Sequence, residues 1–213
     1  AEQLRREFSA NVSHELKTPL TSIAGIAEIM KSGMIAPADV PHFAGKIYDE
    51  SQRLIQLVRD IIRISQLDEN NIHDTPVSVE LKKCAARNLS LLESAADAAD
   101  VTLLLEGEEA VIQAVPAILD EMVYNLCENA VKYNRPGGSV TVTVRSDASH
   151  VTLEVADTGI GIAPEHHSRV FERFYRVDKS HSKEIGGTGL GLSIVKHGAA
   201  FHHAQVELES ALD

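Results

Sequence analysis

The chain has 213 residues, 44% of them hydrophobic and 24% charged. This soluble, globular balance excludes disorder throughout and fits one medium unit, or a small one joined to a medium one. Twenty Lys and Arg against 31 Asp and Glu leave a net charge of −11, with 4% aromatics and no Trp; that combination repels polyanions and anionic lipid and lacks stacking platforms, so nucleic-acid binding and direct membrane contact are not expected.

From Leu4 to Met30 the apolar residues Leu4, Phe8, Val12, Leu16, Leu20, Ile23, Ile26 and Met30 recur every three or four positions, which predicts an amphipathic helix. Gly33 and Pro37 interrupt the pattern, and a second helical stretch follows with Ile47, Leu54 and Ile61 seven apart and Leu57 and Ile64 also seven apart. Such a hairpin cannot enclose both of its apolar stripes alone. Pairing two hairpins into a four-helix bundle is the usual remedy, so residues 1–67 predict a homodimer. The polar stretch 68–76, ending in Thr75-Pro76, reads as a linker.

Residues 77–213 read as a second domain. The expected elements are a strand at 77–79, a helix at 81–100, strands at 101–105 and 111–115, a helix at 116–133, and strands at 139–146 and 150–157. A long loop, a helix at 191–201 and a strand at 204–209 follow. Strands and helices mix without regular βαβ alternation, which predicts a two-layer α/β sandwich. The stretch between Gly161 and Gly187 has little periodicity and the length of a lid. Cys84 and Cys127 lie in apolar stretches without Cys or His at metal-ligand spacing, and read as core thiols of a reducing compartment. No apolar run approaches the roughly 18 residues of a membrane span, so these residues read as cytosolic.

Chemistry-bearing residues fall in separate clusters. His14 lies mid-helix in His14-Glu15-Leu16-Lys17-Thr18-Pro19, where Pro19 removes a backbone hydrogen bond. Glu15 could hold Nδ1–H and leave Nε2 as a nucleophile, although adjacent helical residues do not normally face each other; taken alone, His14 is an ordinary surface histidine. Asn125, Asn129 and Lys132 share one helix face, with Tyr133 next to it. Two amides and an ammonium could hold a hydrated Mg2+ and its phosphates, or could simply be a solvated face.

Asp157-Thr158-Gly159-Ile160-Gly161 closes a strand. Its acid could accept from an exocyclic amine such as adenine N6, the glycines letting backbone approach the ring, or it could cap a β-turn. Gly187-Thr188-Gly189-Leu190-Gly191 runs directly into a helical pattern, an arrangement moderately specific for phosphate, yet without the Gly-Lys-Ser/Thr ending of a P-loop. Between them, Phe171-Glu172-Arg173-Phe174-Tyr175-Arg176 reads as a short helix plugging aromatics into a core. Arg173, Arg176, Lys179 and Lys183 add the positive charge that an acidic protein needs near an anionic nucleotide.

Taken in order, these clusters resemble the catalytic core of bacterial two-component sensor histidine kinases over residues 4–210. His14 to Pro19 is similar to the H box, Asn125 to Tyr133 to the N box, Asp157 to Gly161 to the G1 box, Phe171 to Tyr175 to the F box and Gly187 to Gly191 to the G2 box. Within the family the likeness is to the class whose H box follows a membrane sensor, including phosphate- and cell-wall-sensing kinases. The resemblance implies an α + α/β fold: a hairpin forming a dimeric four-helix bundle, then an α/β sandwich of the histidine kinase and chaperone ATPase type. It implies ATP and Mg2+ as cofactors, His14 as phosphoacceptor, Glu15 as the base that polarises it, and Thr18 as a water-positioning group in the reverse, phosphatase direction.

Asn129 would ligate Mg2+, with Asn125 and Lys132 assisting and Tyr133 against the nucleotide. Asp157 would recognise adenine, Gly159 and Gly161 shape its pocket, and Gly187, Thr188, Gly189, Leu190, Gly191 and Arg176 serve the phosphate site and lid. The partners implied are a second copy of the chain and the receiver domain of a response regulator, and the location is the cytoplasmic part of a membrane sensor. The family pattern continues past the last strand into a closing strand, whereas this sequence stops at Asp213, so either the piece is truncated or a sheet edge is left open. The rival readings are an ATPase module of the chaperone or topoisomerase type, whose water-activating Glu position is here Asn125, and an inactive dimerising scaffold.

Overall fold

A computed structural model describes residues 2–68, 74–177 and 187–212. Helix α1 spans Glu2–Lys31 and continues through Pro19, whose ring is buried. Pro19 has no amide to give to the Glu15 carbonyl one turn back, and next to it the Thr18 hydroxyl donates to the His14 carbonyl at 3.3 Å. Gly33, at φ 73°, turns the chain, a 3-10 turn at Pro37–Asp39 follows, and α2 runs antiparallel as Val40–Asp68. The anticipated linker therefore begins one residue late, because Asp68 is the last helical residue of α2; residues 69–73 lie outside the described ones.

The remaining elements are β1 Val77–Glu80, α3 Leu81–Ala98, β2 Thr102–Gly107, β3 Val111–Ala114, α4 Pro116–Lys132, β4 Ser139–Ser146, β5 Val151–Asp157 and α5 Gly191–Phe201. They make two small sheets. In one, β1 pairs antiparallel with β3; in the other, β4 is central, parallel to β2 and antiparallel to β5. Strand β4 alternates cleanly, with Val140, Val142 and Val144 fully buried beneath the helical layer. Leu81, Cys84, Leu89 and Leu92 of α3 and Leu119, Val123 and Cys127 of α4 cover that face. Burial pushes both thiols up to about 12, so they stay protonated packing groups.

Two expectations fail. Residues 204–209 pair with no strand among the described residues. The segment is instead fastened at its ends: Ala204 N–H donates to the Ala199 carbonyl at 2.8 Å, and the Ser210 hydroxyl accepts from Ile162 N–H at 2.9 Å, which lays it beside α5 and over the loop after β5 rather than along a sheet edge. Residues 171–177 form turns, not a helix. Phe174 sits at φ 63°, and its N–H donates to the Gly189 carbonyl at 2.8 Å, so its backbone is spent on a contact outside any helix.

A second core joins the hairpin to the sandwich. Leu57, Ile64 and Leu67 of α2 pack with Val115, Ile118, Leu190 and Ile194, and Phe8, Leu16, Ile61 and Phe174 close the cluster. Part of the heptad-like seam thus faces the sandwich. Among the described residues no helix is long and apolar enough to cross a membrane.

Candidate functional site

Helix α4 begins with Pro116 in its first turn and presents the N-box residues toward α5 and the loop before it. Asn125 Nδ2 donates to the Glu121 carbonyl at 2.8 Å, which orients the amide oxygen toward Gly191. A Cβ at Gly191 would come within 2.6 Å of that oxygen. Only glycine lets α5 start so close to α4. A Cβ at Gly187 would likewise approach Lys132 Nζ at 3.2 Å and the Tyr133 hydroxyl at 3.4 Å. The glycine-rich loop therefore lies directly on the helix face that carries Asn125, Lys132 and Tyr133.

Lys132 is half-buried, and burial holds its ammonium below the ordinary lysine range, with Arg176 and Arg53 adding to the drop and Glu128 opposing it. Burial also raises the Tyr133 phenol. Asn129 is half-buried on the same face, and its side-chain amide makes no hydrogen bond to another described residue. A half-buried amide oxygen free to accept a hard cation fits a Mg2+ that keeps its waters and is shared with phosphates.

The loop after β5 closes on the same helix end. Ile160 N–H donates to the Tyr133 carbonyl at 3.1 Å, and a Cβ on Gly159 would overlap that carbonyl. Gly161, at φ 69°, lies against the Ala211 backbone where a side chain would overlap. Asp157 is exposed, and one of its oxygens accepts from Gly159 N–H at 2.8 Å. Asn134, next to the N box, bridges to β4 and this loop: its amide donates to the Ala130 and Ser139 carbonyls, both at 3.0 Å, and its oxygen accepts from Thr158 at 3.2 Å.

Gly189, at φ 72°, and Leu190 complete the glycine-rich loop. The Leu190 side chain is fully buried in the core between hairpin and sandwich, so only its backbone faces the loop; its N–H donates to Thr188 Oγ1 at 3.2 Å. The Thr188 hydroxyl in turn donates to Asp60 Oδ2 of α2 at 2.8 Å. Asp60 was not among the expected site residues. Its signal was a carboxylate inside the apolar face of α2, between Leu57 and Ile64.

On the hairpin, the His14 side chain is 79% exposed, with Nδ1 3.6 Å from Glu15 Oε1. The neighbouring glutamate does reach the imidazole, although helical spacing did not require it. The other Glu15 oxygen accepts from Arg176 Nη2 at 3.2 Å. Arg173 meets both oxygens of Asp68 at 2.7 Å, lies over the Phe8 ring at 5.0 Å, and neighbours His197, which also contacts Asp68 at 3.1 Å. Arg63 pairs with Glu121 across the same interface. Lys179 and Lys183 lie outside the described residues.

The structure thus gathers Asn125, Lys132, Tyr133, Gly187 and Gly191 at one place, sets Gly159 against the end of the same helix, and connects His14 to this assembly through Glu15 and Arg176. Comparison with known proteins follows the same division. Residues 4–70 match the family described as His Kinase A (phospho-acceptor) domain, and residues 114–213 match the family described as Histidine kinase-, DNA gyrase B-, and HSP90-like ATPase. The chain is 36% identical over 210 residues to the sensor-like histidine kinase SenX3 of Mycolicibacterium smegmatis, covering 98% of this chain and 55% of that protein. It is 35% identical over 210 residues to the sensor protein kinase WalK of Staphylococcus saprophyticus, covering 96% of this chain and 34% of that protein. The chain therefore spans about half, or a third, of the length of these relatives.

Among solved structures, the Acinetobacter baumannii histidine kinase AdeS superposes with a TM-score of 0.73 at 22% identity, over 88% of this chain and 86% of that one. The histidine kinase ThkA, solved in complex with response regulator protein TrrA, gives 0.74 at 22% identity, over 93% of this chain and 55% of that one. Both likenesses concern the fold. With a phosphoacceptor match on the hairpin and an ATP-binding match on the sandwich, the chain belongs to the sensor histidine kinases of two-component systems and comprises their catalytic core.

Proposed function

We propose that the chain transfers the γ-phosphoryl group of ATP to His14 and from there to an Asp of a response regulator, with the reverse phosphatase reaction open to the same residues. The observation that carries this reading is the Glu15 carboxylate, 3.6 Å from His14 Nδ1 on one side and 3.2 Å from Arg176 on the other, which couples an exposed imidazole to the nucleotide-binding half. Residues 1–68 are the phosphoacceptor and dimerisation part, 69–76 the connection, and 77–213 the ATP-binding part. The relatives are sensor kinases by name and extend well beyond the matched part, which supports reading this piece as the cytoplasmic portion of a membrane sensor.

In this reading Glu15 accepts the Nδ1 proton and leaves the Nε2 lone pair to attack phosphorus. The bond from phosphorus to the leaving oxygen breaks, ADP departs, and the imidazole keeps the phosphoryl group. Asp157 receives the adenine amine, while Gly159 and Gly161 shape that pocket and Tyr133 covers the base. Thr188 and the backbone of Gly187 to Gly191 face the phosphates, together with Asn125, Lys132 and Arg176. Asn129 would hold Mg2+, which supplies charge neutralisation between the phosphates. Positioning and charge dominate such transfers, so the separation of His14 from the glycine-rich loop makes domain geometry the control point.

The homodimer rests on the apolar residues Tyr48, Ile55, Val58 and Ile62, which α2 leaves exposed opposite its sandwich-facing side. Incubation with γ-labelled ATP and Mg2+ tests the activity. The expected label is acid-labile and base-stable, and is lost in His14→Gln while ATP binding persists; a label that survives in His14→Gln overturns the assignment.

A further inference from the structure

Asp60 is a carboxylate with 5% of its surface exposed, and no lysine, arginine or histidine among the described residues pairs with it. Its two contacts are hydrogen bonds: Gln56 Nε2 donates to Oδ1 at 2.7 Å, and Thr188 Oγ1 donates to Oδ2 at 2.8 Å. An anion placed in a contact surface without a cation opposes the contact by its desolvation. What it meets there is informative. Thr188 is the hydroxyl of the glycine-rich loop, and a hydroxyl has one proton to give. While that proton goes to Asp60, it cannot go to another oxygen anion.

The same substitution of partners occurs at Arg176. Its side chain is 12% exposed and its guanidinium is directed at Glu15 of α1. Two donors around the loop, one neutral and one cationic, therefore both end on carboxylate oxygens of the hairpin. Around them Arg176 and Arg53 lie near enough to Lys132 to disfavour its charge, with Glu128 the opposing anion. This concentration of donors and cations suits an oxyanion with several oxygens, and in the docked arrangement hairpin carboxylates fill that role.

We propose that Asp60, assisted by Glu15, stands in for the nucleotide's phosphates, so that ATP binding and docking of the sandwich on the hairpin oppose one another at Thr188 and Arg176. The proposal rests on the reading of Gly187 to Gly191 as the phosphate loop and adds the competitor. Because coupling between two equilibria is reciprocal, whatever Asp60 contributes to docking is lost from ATP affinity, and phosphate binding loosens the hairpin by the same factor. The docked form is then a resting state from which ATP itself helps release the catalytic half.

The test uses the chain of residues 1–213 and three probes: Mg–ATP, inorganic tripolyphosphate and adenosine. In Asp60→Ala, the Kd for ATP and for tripolyphosphate should fall about 5-fold or more, within the usual range of such couplings, while the adenosine Kd stays as it was. Asp60→Ser keeps a polar side chain but one too short to hold the Thr188 hydroxyl as the carboxylate does at 2.8 Å, and should move both Kd values in the same direction; it replaces the alanine variant if the latter fails to fold by circular dichroism. Thr188→Val should weaken ATP, and adding Asp60→Ala to it should then change nothing further. If Thr188→Val weakens ATP but both Asp60 variants leave it unchanged or weaken it, the competition is wrong and the loop reading stands. If neither Thr188→Val nor tripolyphosphate binding responds to any variant, the loop reading fails and the proposal falls with it.

Discussion

Arg176 Nη2 lies 3.2 Å from Glu15 Oε2, joining residues 161 positions apart in sequence and linking the lid segment to the phosphoacceptor helix. The other oxygen of the same carboxylate is 3.6 Å from His14 Nδ1. One side chain thus answers to two partners, an imidazole on its own helix and a guanidinium from the sandwich half. Glu15→Gln keeps the length and an acceptor oxygen but removes the charge, so in the proposed reaction the imidazole loses the group that takes its Nδ1 proton. A general base contributes about 10²–10⁴-fold. Initial rates of label incorporation should fall by about 10²-fold or more, while the Kd for ATP does not rise. An unchanged rate would reduce Glu15 to a docking contact.

The Asp60 carboxyl predicts a pH dependence of docking. Burial raises it above the ordinary carboxylate range and Glu128 of α4 adds to the rise, while the hydrogen bonds from Thr188 and Gln56 oppose it. The nearby Glu121, also raised by burial, carries Arg63 as its partner. A group that holds its proton more tightly when docked favours docking at low pH. Its contribution is complete below the ordinary carboxylate value and lost as pH rises through the elevated one. Small-angle scattering should show a more compact chain as pH is lowered from neutrality toward that range. Asp60→Asn should flatten the change, and an equal response in that variant would assign the effect to other groups.

Much of the sandwich was legible because β4 obeys its period: Val140, Val142 and Val144 alternate with polar residues and are all buried. The convergence of Asn125 and Gly191 was legible only as motif order. Their contact depends on the crossing of α4 and α5, which no local pattern encodes. The stripe of Leu57, Ile64 and Leu67 was visible, but a stripe does not name its partner; it meets Ile118, Leu190 and Ile194 of the sandwich as well as the hairpin. That is why Asp60, lying in the same stripe, went unnoticed as a neighbour of Thr188. The unpaired segment 204–209 carried apolar residues in a strand-like order, yet β-propensity reports fit to a neighbour, and its neighbours are α5 and a loop.

Gly189 and Phe174 form a second testable pair. Both have positive φ, 72° and 63°, and Phe174 N–H donates to the Gly189 carbonyl at 2.8 Å. A Cβ at position 189 would stand 3.0 Å from the Phe174 Cα and carbonyl carbon. Gly189→Ala therefore places a side chain in a left-handed conformation and pushes on a backbone that cannot yield like a side-chain tip. The left-handed conformation alone costs about 1–2 kcal/mol. Urea unfolding should show a lower midpoint with an unchanged slope. A midpoint equal to that of the parent would mean that the loop relaxes freely, and that Phe174 is not held by it.

Phe8 and Phe174 test how the hairpin is held. Their rings are 5.7 Å apart and tilted by 34°, and Arg173 lies over the Phe8 face. Such pairs are coupled by about 0.5–1.5 kcal/mol beyond area burial. A double-mutant cycle of Phe8→Ala and Phe174→Ala, read by urea unfolding, should return a coupling in that range. Strict additivity would show that the two rings stabilise the chain separately.

The outer face of α2 decides the oligomeric state. Tyr48, Ile55 and Ile62 recur every seven residues and are exposed, with Val58 between them, whereas Ile64 on the sandwich-facing side is fully buried. An apolar row at coiled-coil spacing left in solvent calls for a partner helix, and a second hairpin supplies one with the same row. Ile55→Glu with Ile62→Glu places charges in that row without touching the core around Ile64. Light scattering at micromolar concentration should therefore find a dimer for the parent chain and a folded monomer for the double variant. A parent chain that is already a monomer would remove the four-helix bundle, while a variant that stays dimeric would move the interface to another face of the hairpin.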